Sequence, residues 1–255
     1  MRTLAIIPSR YGSTRFPGKP LADIAGKSMI RRVYEQTSKA FEDVCVATDD
    51  DRIVAEVERF GGTAIMTSSE HQSGTDRCFE AYMKYKDLHP EKEIDLIVNV
   101  QGDEPLIDPL QLKELENAFV TDPSISLGTM AKKITSQEEL FSPNTPKIIF
   151  DTGWNALYFS RNTIPYLRGI PQDQWMEHHT YYKHIGLYAY KPDTLRHICS
   201  LKRSALEVAE SLEQLRWIEN GLKIRVVETF STTFAVDMPE DLIKIINYIE
   251  KDLYL

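Results

Sequence analysis

Residues 6–21 read IIPSRYGSTRFPGKPL, placing Arg10, Arg15 and Lys19 among glycines and prolines directly behind an apolar run. Backbone N–H groups in a Gly-containing loop can converge on an anion, while Arg and Lys supply the counter-charge; a nucleoside triphosphate needs both. The spacing is not that of a Walker A loop: five residues separate Gly12 from Gly18, and Pro20 follows Lys19 where Ser or Thr is required. It is not G-x-G-x-x-G either. The alternative reading is an exposed basic loop without a ligand.

Two acidic stretches follow other apolar runs. QGDEP, residues 101–105, sets Gln101, Asp103 and Glu104 where the run DLIVNV ends. A carboxylate there suits Mg²⁺, a hard cation that prefers carboxylate, water and phosphate oxygens; equally, it suits a turn ahead of a helix starting near Asp108. Asp237, in FAVDMPED, is a candidate second ligand or the N-cap of the last helix. ATDDD, residues 47–51, contains the D-x-D pattern of many metal-dependent glycosyltransferases, although acids at a helix start are usually caps. HQSGTDR, residues 71–77, is a small-residue helix entry that could meet a base, ribose or phosphate oxygen. His178-His179 reads as a solvated pair, and Cys45, Cys78 and Cys199 as core fillers without a C-x-x-C pair.

These clusters need a scaffold, and the apolar pattern supplies one. Short buried-strand runs at 4–7, 44–49, 64–67 and 95–100 alternate with helical stripes, which predicts an α/β fold with a mostly parallel, Rossmann-like sheet. In such sheets ligands bind at the carboxyl ends of the strands, where the three clusters fall. Further along, a helix is expected at 109–120, a strand near 126–131, a hairpin around Asp151-Thr152-Gly153, an irregular excursion at 165–182, and a strand at 185–190. One helix is expected over 207–221 with Gly221 as its C-cap, then a strand, then a C-terminal helix striped by Leu242, Ile245, Ile246, Ile249 and Leu253. The expected organisation is one domain, 1–255, with a small inserted lobe at about 130–215.

The chain has 255 residues and a formal net charge of −8, which argues against nucleic-acid or membrane-surface partners. Its apolar runs are too short to span a bilayer. With no signal-peptide pattern ahead of the first strand and no disulfide framework, the expected location is the cytoplasm.

In order along the chain, IIPSRYGSTRFPGKPL, ATDD, HQSGTDR, VNVQGDEP, ALYFSR, KHIGLYAY, LEQLR and VDMPEDL resemble the motifs of the 3-deoxy-manno-octulosonate (Kdo) cytidylyltransferases. The resemblance covers nearly the whole chain. It implies a nucleotide-diphosphosugar-transferase fold and a Mg²⁺-dependent homodimer that joins CTP and Kdo for lipopolysaccharide synthesis, releasing diphosphate. Carried over by position, it implies that Arg10, Arg15 and Lys19 hold the triphosphate, with Gly12 and Ser13 adding backbone contacts. Ser73 and Arg77 would help bind the nucleotide, and Asp103 and Asp237 would ligate the metal. Gln101, Arg161, His184, Tyr188, Glu210 and Gln214 would surround the sugar acid. Arg15, Lys19 and Asp103 are the residues expected to carry catalysis. The alternatives are a cytidylyltransferase for another acidic sugar (8-amino-Kdo or a sialic acid), a glycosyltransferase using Asp49 and Asp51, and a non-catalytic nucleotide-binding module.

Overall fold

A strand with no polar face must be covered on both sides, and residues 4–7, all fully buried, sit in such a strand. The computed structural model describes residues 1–12, 16–232 and 234–252. The chain divides into two compact units, residues 1–113 with 231–255, and residues 114–230.

The first unit is built on β1 (Thr3–Ser9). A short hairpin, β2 (Asp23–Ile24) and β3 (Lys27–Ser28), leads into α1 (Met29–Ala40), followed by β4 (Asp43–Thr48), α2 (Asp51–Arg59), β5 (Ala64–Met66), α3 (Gly74–Leu88), β6 (Leu96–Asn99) and the start of α4 (Pro109–Thr121). Its sheet runs β6-β1-β4-β5, every pair parallel, as the alternating pattern predicts. The helices start on local chemistry. Ser28, Asp50 and Ser73 each accept a backbone N–H of the first turn, so three orphan donors are satisfied by side chains. The C-terminal helix (Pro239–Asp252) belongs to this unit, with Ile245 packed among Ile24, Met29 and Val236. Leu242, Ile246 and Ile249 of the expected stripe join that cluster, while Leu253 lies outside the described residues.

The second unit holds β7 (Leu127–Lys133), α5 (Gln137–Phe141), β8 (Lys147–Phe150), β9 (Ala156–Ser160), α6 (Trp175–His178), β10 (Tyr182–Tyr190), α7 (Pro192–Ser200), α8 (Ala205–Glu210), α9 (Gln214–Glu219) and β11 (Arg225–Glu228). β10 pairs antiparallel with β7 and β8, β8 and β9 form the expected hairpin, and β11 runs parallel to β7. A register shift between Ile185 and Tyr188 bends β10. The 165–182 excursion is anchored by Trp175, which is buried with Ile134, Leu140 and Tyr181.

The single helix expected over 207–221 is two. α8 stops at Glu210, Ser211 turns left-handed at φ 52°, and α9 restarts at Gln214. Arg161 satisfies the break. Its guanidinium and Nε take the carbonyls of Glu210 and Ser211, acceptors that a continuous helix would have used itself. Gly221 ends α9 at φ 81° as expected, with Leu222 N bonded back to the Trp217 carbonyl.

Candidate active site

Behind β1, Gly18 adopts φ 72° and donates its N–H to the Tyr11 carbonyl at 3.0 Å, closing the loop; Lys19 then opens a 3-10 turn, Lys19–Leu21. Lys19 Nζ donates to Asp103 Oδ2 and to the Val236 carbonyl, each at 2.8 Å. The C-terminal segment is tied in again where Val236 N donates to the Asp103 carbonyl at 2.9 Å. Arg10, Lys19, Gln101, Gly102, Asp103 and Asp237 therefore share one cavity of about 280 Å³. Gly102 is required by close approach: a Cβ there would lie 2.9 Å from the Pro8 carbonyl oxygen.

A second cavity of about 200 Å³ also takes Arg10 and Gln101, and is otherwise walled by Ser9, His71, Ser73 and Arg77. Ser73 caps α3 and donates its hydroxyl to Asp76 at 2.8 Å. Arg77 is buried, bonded to Thr67 Oγ1 at 2.6 Å and Asp49 Oδ2 at 2.9 Å, so its charge is partly spent inside the protein. His71 contacts Glu80, which also accepts from Lys84 and the Ser68 N–H. Burial would raise the Glu80 carboxyl, but these partners hold it down at about 2. Glu80 was not visible as a site residue in the sequence, since it lies in mid-helix and reveals its role only when α3 folds back over residues 68–71.

Of the expected nucleotide and metal residues, Arg10, Gly12, Lys19, Ser73, Arg77, Asp103 and Asp237 all lie in the first unit, and all but Gly12 line these two cavities. Ser13 and Arg15 lie outside the described residues. Asp103 and Asp237 offer a hard, all-oxygen donor pair, and among the described residues no third His, Cys, Asp or Glu joins them. That fits Mg²⁺, which binds through one or two carboxylates and keeps the rest of its shell for water and phosphate.

Asp50, between the two acids of the D-x-D, caps α2 and is held below its ordinary value by hydrogen bonds from Arg52; of the D-x-D pair itself, Asp49 is committed to Arg77 and Asp51 is the first-turn acid of α2, which leaves that reading little support. Burial pushes the Cys45 thiol up to about 12, consistent with a core filler. His178 and His179 are exposed.

Among the residues expected around the sugar acid, Gln101 lies in the first unit and the other five in the second. Arg161 and Glu210 form one cluster: Glu210 accepts from Ser160 Oγ at 2.6 Å and Arg161 N at 2.9 Å, and Arg161 Nε donates to the Glu210 carbonyl at 2.7 Å. Beneath them Lys147, fully buried, donates to the carbonyls of Ser142 and Arg161, and burial lowers its pKa. The sequence hid Lys147 inside an ordinary strand pattern. His184 and Tyr188 form a second cluster, their rings 5.3 Å apart, with His184 Nε2 2.9 Å from Thr129 Oγ1. Burial pushes His184 down to about 3, so it works there as a neutral hydrogen-bonding group. Gln214 is buried one turn before Trp217, which packs against Tyr188, and its Nε2 has no partner among the described atoms.

A parallel sheet presenting cations and carboxylates at its carboxyl edge, beside an N-capped helix entry, is an arrangement that suits a nucleotidyltransferase. The family model for cytidylyltransferase matches residues 4–224. The chain is 50% identical to the 3-deoxy-manno-octulosonate cytidylyltransferase of Parabacteroides distasonis over 98% of both chains, and 54% identical to that of Cytophaga hutchinsonii over 95% of both. A solved CMP:2-keto-3-deoxy-manno-octonic acid synthetase complexed with CTP superposes with a TM-score of 0.88 at 41% identity, covering 99% of this chain and 100% of the other. The 4-diphosphocytidyl-2C-methyl-D-erythritol synthase of Anaerococcus prevotii, 15% identical with a TM-score of 0.59, shares the fold alone. The chain belongs to the 3-deoxy-manno-octulosonate cytidylyltransferase family.

Proposed function

We propose that the protein joins CTP and 3-deoxy-manno-octulosonate to give CMP-Kdo and diphosphate, acting as a Mg²⁺-dependent homodimer in the cytoplasm and supplying activated sugar for lipopolysaccharide synthesis. The observation that carries the reaction is the Lys19–Asp103 contact in a cavity that Arg10 and Asp237 also enter. The anomeric hydroxyl of the sugar acid attacks the α-phosphorus in line. A new O–P bond forms, the bond from the α-phosphorus to the bridging oxygen breaks, diphosphate leaves, and the hydroxyl proton passes to solvent. Positioning and charge neutralisation supply most of the rate in such transfers, with no covalent enzyme intermediate needed.

Lys19 holds the leaving phosphates, with Arg10 beside it and Arg15 completing the cation set. The β1–β6 edge around Gly102 fixes Gln101 and Asp103 against the same site. Asp103 and Asp237 would hold Mg²⁺, which when bound neutralises phosphate charge and polarises the α-phosphate. In the second unit, Arg161 offers a cation to a carboxylate, and Glu210, His184, Tyr188 and Gln214 offer hydrogen bonds to sugar hydroxyls. Diphosphate release from purified protein with CTP, Kdo and Mg²⁺ tests the reading, with each component omitted in turn. Release that needs all three supports it. Release with a sialic acid but not Kdo moves the assignment to another sugar acid, and CTP binding without release under any condition replaces it with a binding module.

A further inference from the structure

The acids of ATDDD have no place in that reaction, yet the first two are engaged. Asp49 accepts from Arg77 in the wall of the second cavity. Asp50 accepts from Arg52 three times: the backbone N–H at 3.0 Å, Nε at 2.9 Å and Nη2 at 2.6 Å. The last two bonds fix both the plane and the direction of the guanidinium. Its central carbon lies 3.2 Å from the centre of the Tyr11 ring. Tyr11 is where the cationic loop closes, through its carbonyl to Gly18 N, and its ring lies so near Gly18 that a Cβ there would come within 3.1 Å. Lys19 follows directly.

We propose that Asp50 and Arg52 are positioning residues for the nucleotide loop: Asp50 aims Arg52 at the Tyr11 ring, which fixes the Tyr11–Gly18 closure that presents Arg10 and Lys19. This rests on the reading of the loop as a triphosphate cradle. A loop that gathers cations resists closing, because like charges repel. Asp103 already takes Lys19, and tethering the loop with a second carboxylate would add another competitor for those cations beside the phosphates. A neutral Asp–Arg pair gripping an aromatic face holds the loop without adding such a charge, because the ring offers its negative π face to the guanidinium.

Steady-state kinetics of the full-length protein test this, with Arg52→Ala, Tyr11→Leu, the double variant, Tyr11→Phe and Lys19→Ala compared under the diphosphate assay. Arg52→Ala and Tyr11→Leu are each expected to raise KM for CTP about three- to tenfold while KM for Kdo stays within about twofold. The double variant should lose no more than the larger single loss, since both substitutions break one contact. Tyr11→Phe keeps the ring and should restore most of the affinity. Losses that multiply in the double variant, or equal rises in KM for CTP and Kdo, would overturn the proposal, leaving Asp50 a helix cap only. Lys19→Ala separates the two readings. If it raises KM for CTP while Arg52→Ala does not, the brace is wrong and the cradle stands; if neither does, the cradle itself fails. Thermal melting of each variant confirms that it is folded.

Discussion

At the scale of single residues, Asp103 links three parts of the cleft. Its carboxylate accepts from Lys19 and its carbonyl from Val236 N, so one residue joins the cationic loop, the β6 edge and the C-terminal segment. Asn at this position keeps the size and one acceptor oxygen but removes the charge. The backbone bond to Val236 survives, so the fold is expected to persist. Asp103→Asn should lower kcat by at least about 10²- to 10³-fold, the range for loss of one preorganised electrostatic partner, with little change in melting temperature. A kcat within tenfold of the parent, measured by diphosphate release at saturating CTP, Kdo and Mg²⁺, would remove Asp103 from both the metal and the catalytic assignments.

At the scale of elements, Asp43 at the start of β4 ties together more of the chain than any cap does. It accepts from Arg2 at 2.7 Å ahead of β1, from the Tyr85 hydroxyl of α3 at 2.7 Å, and from Lys92 at 2.6 Å beyond α3. Burial alone would raise the Asp43 carboxyl above 3.8, but the hydrogen bonds from Lys92, Arg2 and Tyr85 outweigh it and hold the group at about 2. The folded value is therefore below the unfolded one, so this stabilisation is present above pH ~4 and is lost as pH falls toward ~2. Asp43→Asn should destabilise the protein by about 1–2 kcal/mol at pH 7, because the buried carboxylate loses its charge-assisted hydrogen bonds from the partly exposed Arg2 and Lys92, whose own charges stay solvated. In denaturant titrations the gap to the parent should close as the pH drops through that window. A gap independent of pH would show that the charge of Asp43 is not what matters.

Much at this scale was legible in advance. The parallel βα alternation followed from short apolar runs separated by helical stripes, and Gly221 announced a helix stop by type alone. What escaped was set by partners distant in sequence. Nothing local to residues 207–221 says that Arg161, fifty positions earlier, will take the Ser211 carbonyl where the helix breaks. Glu80 and Lys147 likewise have ordinary neighbours in sequence and special ones only in space. The candidate site was legible where its chemistry is written in contiguous loops, as at Arg10, Lys19 and Asp103. It was not legible where one side chain orients another, as Arg52 does Tyr11.

At the scale of the whole molecule, the chain leaves its first unit after residue 113 and returns to it from residue 231, so the last elements made complete the first ones. The return delivers function as well as packing. Val236 sits in the cluster of Ile24, Met29 and Ile245, its carbonyl accepts from Lys19, and Asp237 follows it into the cleft. Ile245, on the C-terminal helix, touches no candidate ligand, yet it presses Val236 into place. Ile245→Ala should cost about 2–4 kcal/mol through lost burial and the cavity left behind. For a chain of this size that is a drop of about 5–15 °C in melting temperature. If the C-terminal return sets the cleft, KM for CTP should also rise, by about three- to tenfold, when measured well below the new melting temperature. Ile198→Ala is the matching control: that side chain is fully buried in α7 of the second unit, and its loss should lower the melting temperature similarly while leaving KM for CTP unchanged. Equal rises in KM from the two variants would mean that general loosening, rather than the Ile245–Val236 contact, governs the nucleotide site.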